Sequence, residues 1–219
     1  LALTALTVVG PLLARRQQLR ALAWPVRDVV AALAYFALIG LGFMFVEIGL
    51  LSRLSVFLGQ PTLALALLLG GVIFFTGIGS LLSQRIAPGV RGWALGYPLI
   101  PGLLVLLVAV CAPGLIQAFA SAPTATRALL SLGVLMPPAL GMGLCFPLGL
   151  RLCEQLERVR HAAQAPRLGP WLWCINGAFG VCASGLGLMT SMTWGITCTL
   201  LIGAACYLLL PLATLRLAH

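Results

Sequence analysis

The chain reads as all-α, a polytopic transmembrane helical bundle of about seven spans, and three observations point there. Of its 219 residues, 61% are hydrophobic and only 8% are charged, whereas a soluble domain carries roughly a quarter charged residues. Several apolar runs reach the ~20 residues that cross a hydrocarbon layer about 30 Å thick. All thirteen basic residues are arginine, and they gather mostly between those runs. A β-barrel would instead show alternating segments of ~10 residues. The formal charge of +9 does not mark a nucleic-acid surface, which would collect its cations on one soluble face.

The elements follow in order. "LALTALTVVGPLLA" at residues 1–14 is too short to span and is expected to be the end of a preceding transmembrane helix. Residues 1–27 then form that tail with a cytoplasmic linker, and residues 28–219 form a six-helix domain. Its first span, 29–51, is apolar except for Glu47. The second, 61–82, opens on Gln60 and Pro61, proline being tolerated in a first helical turn and Gln60 reading as the cap. It carries Gly70, Gly71, Gly77 and Gly79 for close packing. The third, 93–118, starts at the anchor Trp93. The fourth, 125–150, contains Pro137, Pro138 and Pro147 and is expected to kink or break. The fifth, 171–189, bears a stripe of small residues, Gly177, Gly180, Ser184 and Gly187, at spacings that share one helix face. Such stripes mark helix interfaces in lipid. The sixth covers 194–215, opening at Trp194.

Arginine placement gives an orientation. Eleven of the thirteen fall in the linkers after residues 14, 82 and 150 or in the C-terminal tail, against Arg53 and Arg127 on the opposite side. The positive-inside rule then puts the eleven, and the C-terminus, in the cytoplasm. Trp24, Trp93, Trp171 and Trp173 fall at the same boundary, as interfacial anchors do. "IGLGFMF" (39–45) echoes "LGMGLCF" (140–146) in spans of opposite direction, the pattern of three-plus-three inverted repeats.

Two intramembrane polar residues are candidates for solute binding or proton coupling. Glu47 is a carboxylate among apolar neighbours, about four residues before the expected span end; an ionisable residue there marks a polar pathway or a partner. Two readings stay open, proton coupling or cation binding on one side and a hydrogen bond tying two helices on the other. Arg53, six residues on, is off the i, i+4 relation. Asn176 can bind a solute or bridge helices across the small-residue stripe. No catalytic motif, phosphate loop or dinucleotide fingerprint is present. Asp28, Glu154 and Glu157 read as solvated charges beside arginines. The seven cysteines lack metal spacing and read as small apolar residues. His161 and His219 lie outside the spans, so no haem or pigment ligand is offered and no cofactor or metal is expected.

Longer stretches carry a resemblance. "GSLLSQRIAPGVR" (79–91) resembles the gating-loop motif of the major facilitator superfamily, with Gly79, Leu81, Arg85, Gly89 and Arg91 at matching places and Ser83 at the aspartate position of a longer turn. The run from Tyr35 to Arg85, "CFPLGLRL", and "PWLWCINGAFGVCASGLGL" resemble the C-terminal membrane region of bacterial fused major-facilitator/spermidine-synthase proteins over most of residues 30–210. The resemblance implies six helices like half of a major-facilitator-type fold, in the bacterial inner membrane. It further implies a transporter-like domain that handles polyamine-type cations or anchors an aminopropyltransferase-like domain elsewhere in a longer chain. The alternative is a non-catalytic structural or accessory subunit of a larger membrane complex. In both, the partners are the bilayer and other transmembrane helices, with no nucleic acid.

Overall fold

A computed structural model of the protein describes residues 25–86, 91–159 and 168–217. Among them every regular element is helical: α1 Val26–Leu58, α2 Pro61–Ser83, α3 Arg91–Ala118, α4 Thr124–Val159, α5 Gly169–Thr193, α6 Ile196–Leu208 and α7 Leu210–Leu217. Six helical segments are long and apolar enough to cross a membrane, α6 and α7 counting together as the sixth. The expected partial span at 1–14 and the linker after it lie outside the described residues up to Trp24.

Several boundaries differ from the expectation, for one reason. A bilayer-length window cuts a helix at ~20 residues, but the chain stops it only where stop signals stand. After residue 51 no glycine or proline occurs until Gly59 and Pro61, so α1 runs on to Leu58 and ends on Gly59. Gly59 takes φ 68°, and its N–H bonds the Ser55 carbonyl, the left-handed cap that glycine adopts without a Cβ penalty. Arg53 is therefore inside α1, not in a linker, and Glu47 lies eleven residues before its end. Likewise α4 continues to Val159, so Arg151, Glu154, Glu157 and Arg158 are helical. Its three prolines do not break it. Gln60 occupies the cap position of α2 but makes no side-chain cap bond, while Pro61 sits in the first turn as expected. The α5–α6 turn is just Trp194 and Gly195, the latter at φ 89°.

Short turns make α1–α2, α3–α4 and α5–α6 antiparallel neighbours in sequence, yet the most extensive packing crosses between them. α1 lies chiefly on α5 and α6, while α4 lies chiefly on α2 and α3. The first helix of each three-helix half is thus exchanged into the other half. The glycine motifs do not follow this exchange in register: Gly40 abuts α5 and Gly42 abuts Tyr207 of α6, whereas Gly141 abuts Pro101 of α3 and Gly143 abuts Thr76 of α2. An inverted repeat aligned on the two motifs would need Gly141 and Gly143 to exchange neighbours.

The close seams are set by absent side chains. A Cβ on Gly40 would strike the Asn176 carbonyl of α5, and one on Gly79 the Leu140 carbonyl of α4; a Cβ on Gly143 would strike the Thr76 carbonyl of α2. A Cβ on Gly187 of α5 would come within 3.0 Å of Ile48, and one on Gly180 within 3.6 Å of Met44. Gly70, Gly77 and Gly177, expected to pack, have open space at their Cβ positions. The stripe on α5 therefore does two things, packing on α1 at Gly180 and Gly187 and leaving room at Gly177. The core between the helices includes all three tyrosines, fully buried. Tyr35 donates to the Cys145 carbonyl at 2.8 Å and lies 3.2 Å from the Tyr97 hydroxyl.

The two kinds of glycine predict opposite substitution effects. Gly40→Ala forces α1 off α5 and should destabilise by about 2 kcal/mol, whereas Gly177→Ala should stabilise by about 0.5–1 kcal/mol through helix propensity alone. Thermal unfolding of both variants in detergent checks this; equal effects would contradict the seam.

Candidate functional site

The middles of α1, α2, α4 and α5 surround a cavity of about 650 Å³, within the size range of small-molecule sites. α1 contributes Ile39, Gly40, Phe43 and Met44; α2 contributes Ile73, Thr76, Gly77 and Ser80; α4 contributes Met142, Gly143, Phe146 and Pro147. α5 supplies Asn176, Gly177, Gly180, Val181 and Ser184. Its space is created by the unfilled positions at Gly77 and Gly177. Towards the arginine-rich end lies an aromatic layer: Phe36 and Phe146 meet edge to face at 5.1 Å, and Phe146 meets Trp173 at 4.4 Å. On the side between α2 and α5 it is open. Ile73 and Val181, both lining residues, are 71% and 60% exposed, and no substantial packing joins those two helices.

Asn176 belongs to the cavity wall and also bridges helices. Its Nδ2 donates to the Phe36 carbonyl of α1 at 3.1 Å. That carbonyl can only accept, so the amide nitrogen must face it, and Oδ1 is left for other partners. The Thr76 hydroxyl donates to the Val72 carbonyl and the Ser184 hydroxyl to the Val181 carbonyl at 2.7 Å. These groups use donors within the protein and retain acceptor oxygens.

Glu47 is half-buried on α1 and does not itself line the cavity. At about 100° per residue it falls on the lining face, between Gly40 and Phe43 and one turn beyond Phe43 and Met44. Met44 sits beside Gly180 and Ile48 beside Gly187, which puts Glu47 level with Ser184 at the cavity's edge. Among the described residues its carboxylate has no hydrogen bond or ion pair, so the helix-tying reading of Glu47 finds no partner there. The structure thus brings Glu47 and Asn176 to one side of α1 without direct contact.

The gating-loop residues do not join this site. Gly79 is buried in the α2–α4 seam, Arg85 is exposed after α2, and Gly89 is outside the described residues, as is the Arg91 side chain. Ser83, at the aspartate position, is buried and its hydroxyl bonds the Ser80 carbonyl at 2.6 Å.

Three arginines tie helices together, Arg127 and Arg151 at helix ends and Arg53 at the mid-helix Ala109 carbonyl. The intrahelical donor position for that carbonyl is Pro113, which has no N–H. Arg53, only 6% exposed, donates from Nη1 to the Ala109 carbonyl of α3 at 3.1 Å and from Nη2 to the Thr197 hydroxyl of α6 at 2.7 Å. It turns away from Glu47. Arg127 of α4 donates to the Phe57 carbonyl in the last turn of α1 at 2.9 Å. Arg151 of α4 reaches the end of α2, donating to the carbonyls of Ser83 and, at 2.8 Å, Ile86. Glu157 accepts the Leu168 N–H at 3.0 Å just before α5. The missing signal was the helix stop at Gly59: had the helix been run to it, Arg53 would have stood inside an apolar segment.

No protein-family model, no curated protein and no solved structure matches the chain.

The Arg53 fork predicts that lysine is no substitute. Arg53→Lys keeps the charge but cannot hold both partners, and should lower stability by about 1.5 kcal/mol, one charge-assisted hydrogen bond. Unfolding in mixed micelles measures it, and wild-type stability in the lysine variant would rule out the staple.

Proposed function

We propose that the protein is a transporter-like integral membrane domain whose mid-bundle cavity receives an organic cation. The observation that carries this is the Glu47 carboxylate without a partner among the described residues, on the cavity-lining face of α1 and level with the cavity's edge. An unpaired carboxylate at membrane depth is unfavourable unless it is protonated or meets a cation, and both states suit transport. Acceptor oxygens on Asn176, Thr76 and Ser184 extend the same preference. The exchange of α1 and α4 between halves supports a two-half architecture of the kind in which solute sites lie at the repeat interface.

The resemblance described above adds the substrate expectation, polyamine-type cations, and an aminopropyltransferase-like partner domain in a longer chain. In this reading the domain lies in a bacterial inner membrane, with the arginine-rich end and the C-terminus cytoplasmic. The second reading, an accessory subunit of a larger membrane complex, is favoured by the open side between α2 and α5, a face another helical unit would close. Stoichiometric co-purification with other membrane subunits, without flux, would favour it.

Flux of two labelled organic cations, spermidine and decylammonium, in proteoliposomes tests the first reading through whichever of the two is carried. Glu47→Gln should reduce the flux at least tenfold while leaving the protein folded, since the amide is isosteric; flux equal to wild type would refute a role for the carboxylate.

A further inference from the structure

We infer that the cavity selects an amphipathic primary ammonium, a single charged head on an apolar body, admitted sideways from the bilayer between α2 and α5. The inference rests on the reading of the cavity as a cation site and names its substrate class. Two features of the site conflict with a hydrophilic polycation. The lining is dominated by Phe43, Met44, Ile73, Met142, Phe146 and Val181, so a chain of several ammonium groups would leave most of its charges against apolar walls. Glu47 is also the one acidic side chain on the lining face: the other three of the chain's four, Asp28, Glu154 and Glu157, lie in the first turn of α1 and the last turns of α4.

The opening fits the same ligand. Ile73 and Val181 stand at mid-helix and are largely exposed, so the cavity communicates with the depth at which lipid tails lie, not with either helix end alone. A hydrocarbon tail moving from lipid into this space gains little, because lipid is as apolar as the lining. Selection then falls on the head. A primary ammonium has three N–H donors and a charge; here it finds a carboxylate at the edge and acceptor oxygens on Asn176 and Ser184, one on each side of the Gly180 contact. A quaternary ammonium has the charge without the donors, and an alcohol has a donor without the charge.

Binding to the chain in nanodiscs of phosphatidylcholine and phosphatidylglycerol tests this, since those lipids bring no primary ammonium of their own. Radiolabelled decylammonium is measured by scintillation proximity against empty nanodiscs, with decyltrimethylammonium, decanol and spermidine as competitors. Saturable decylammonium binding is expected, at least tenfold weaker in Glu47→Gln, with each competitor at least tenfold poorer than unlabelled decylammonium. Gly77→Leu and Gly177→Leu, made separately, each place a side chain in open space and should abolish binding; if one fails to fold, the other carries the test. Equal competition by the trimethyl compound, or binding indifferent to the leucines, overturns the inference. Glu47-dependent binding of spermidine without decylammonium overturns it too, while leaving the cation cavity standing. If no amine binds in a Glu47-dependent way, both fail.

Discussion

Backbone-to-backbone approach at glycine is the constraint on which the rest of this structure depends. In lipid there is no hydrophobic drive between helices, so association comes from close packing and interhelical hydrogen bonds. Here the closest approaches fall at two crossings, Gly40 of α1 on α5 and the Gly79 and Gly143 contacts between α2 and α4. These crossings tie together helices that are not sequence neighbours, and the exchange of α1 and α4 between the two halves follows from them. The cavity follows as well. With α1 held on α5 and α4 held on α2, the two seams leave α2 and α5 apart, and the space between them remains open where Gly77 and Gly177 supply no side chain.

Polar staples complement the seams. Arg53 joins α1 to α3 and α6, Arg127 joins α4 to the last turn of α1, and Arg151 joins α4 to the end of α2. Each guanidinium bonds neutral oxygens, at least one of them a carbonyl. A helix terminus has carbonyls without intrahelical partners, as does Ala109 four residues before Pro113, and the rigid fork of arginine can satisfy two acceptors at once. Arginine thus ties helices together across the bundle. Glu47 stands apart from this network, since Arg53 turns towards α3 and α6. The carboxylate is consequently left to the cavity side of the bundle.

What the sequence by itself determined is the all-helical class of the molecule and the six segments long and apolar enough to cross a membrane, because hydropathy summed along a run depends only on that run. The helix start at Pro61 was legible from a local signal, as was the oddity of Glu47, while α5 starts at Gly169, two residues ahead of the expected Trp171. Helix lengths were misjudged where bilayer thickness was applied in place of stop signals, which moved Arg53 and Arg151 out of their helices. Which glycines pack and which leave space could not be read locally: Gly177 and Gly180 share a stripe and both line the cavity, yet a Cβ on the first would meet open space and one on the second Met44. Only the tertiary structure decided that, and with it the partners of Arg53, the double role of Asn176 and the existence of the cavity. Each depends on residues from helices distant in the chain meeting at one place, and such meetings leave no periodicity in any single segment.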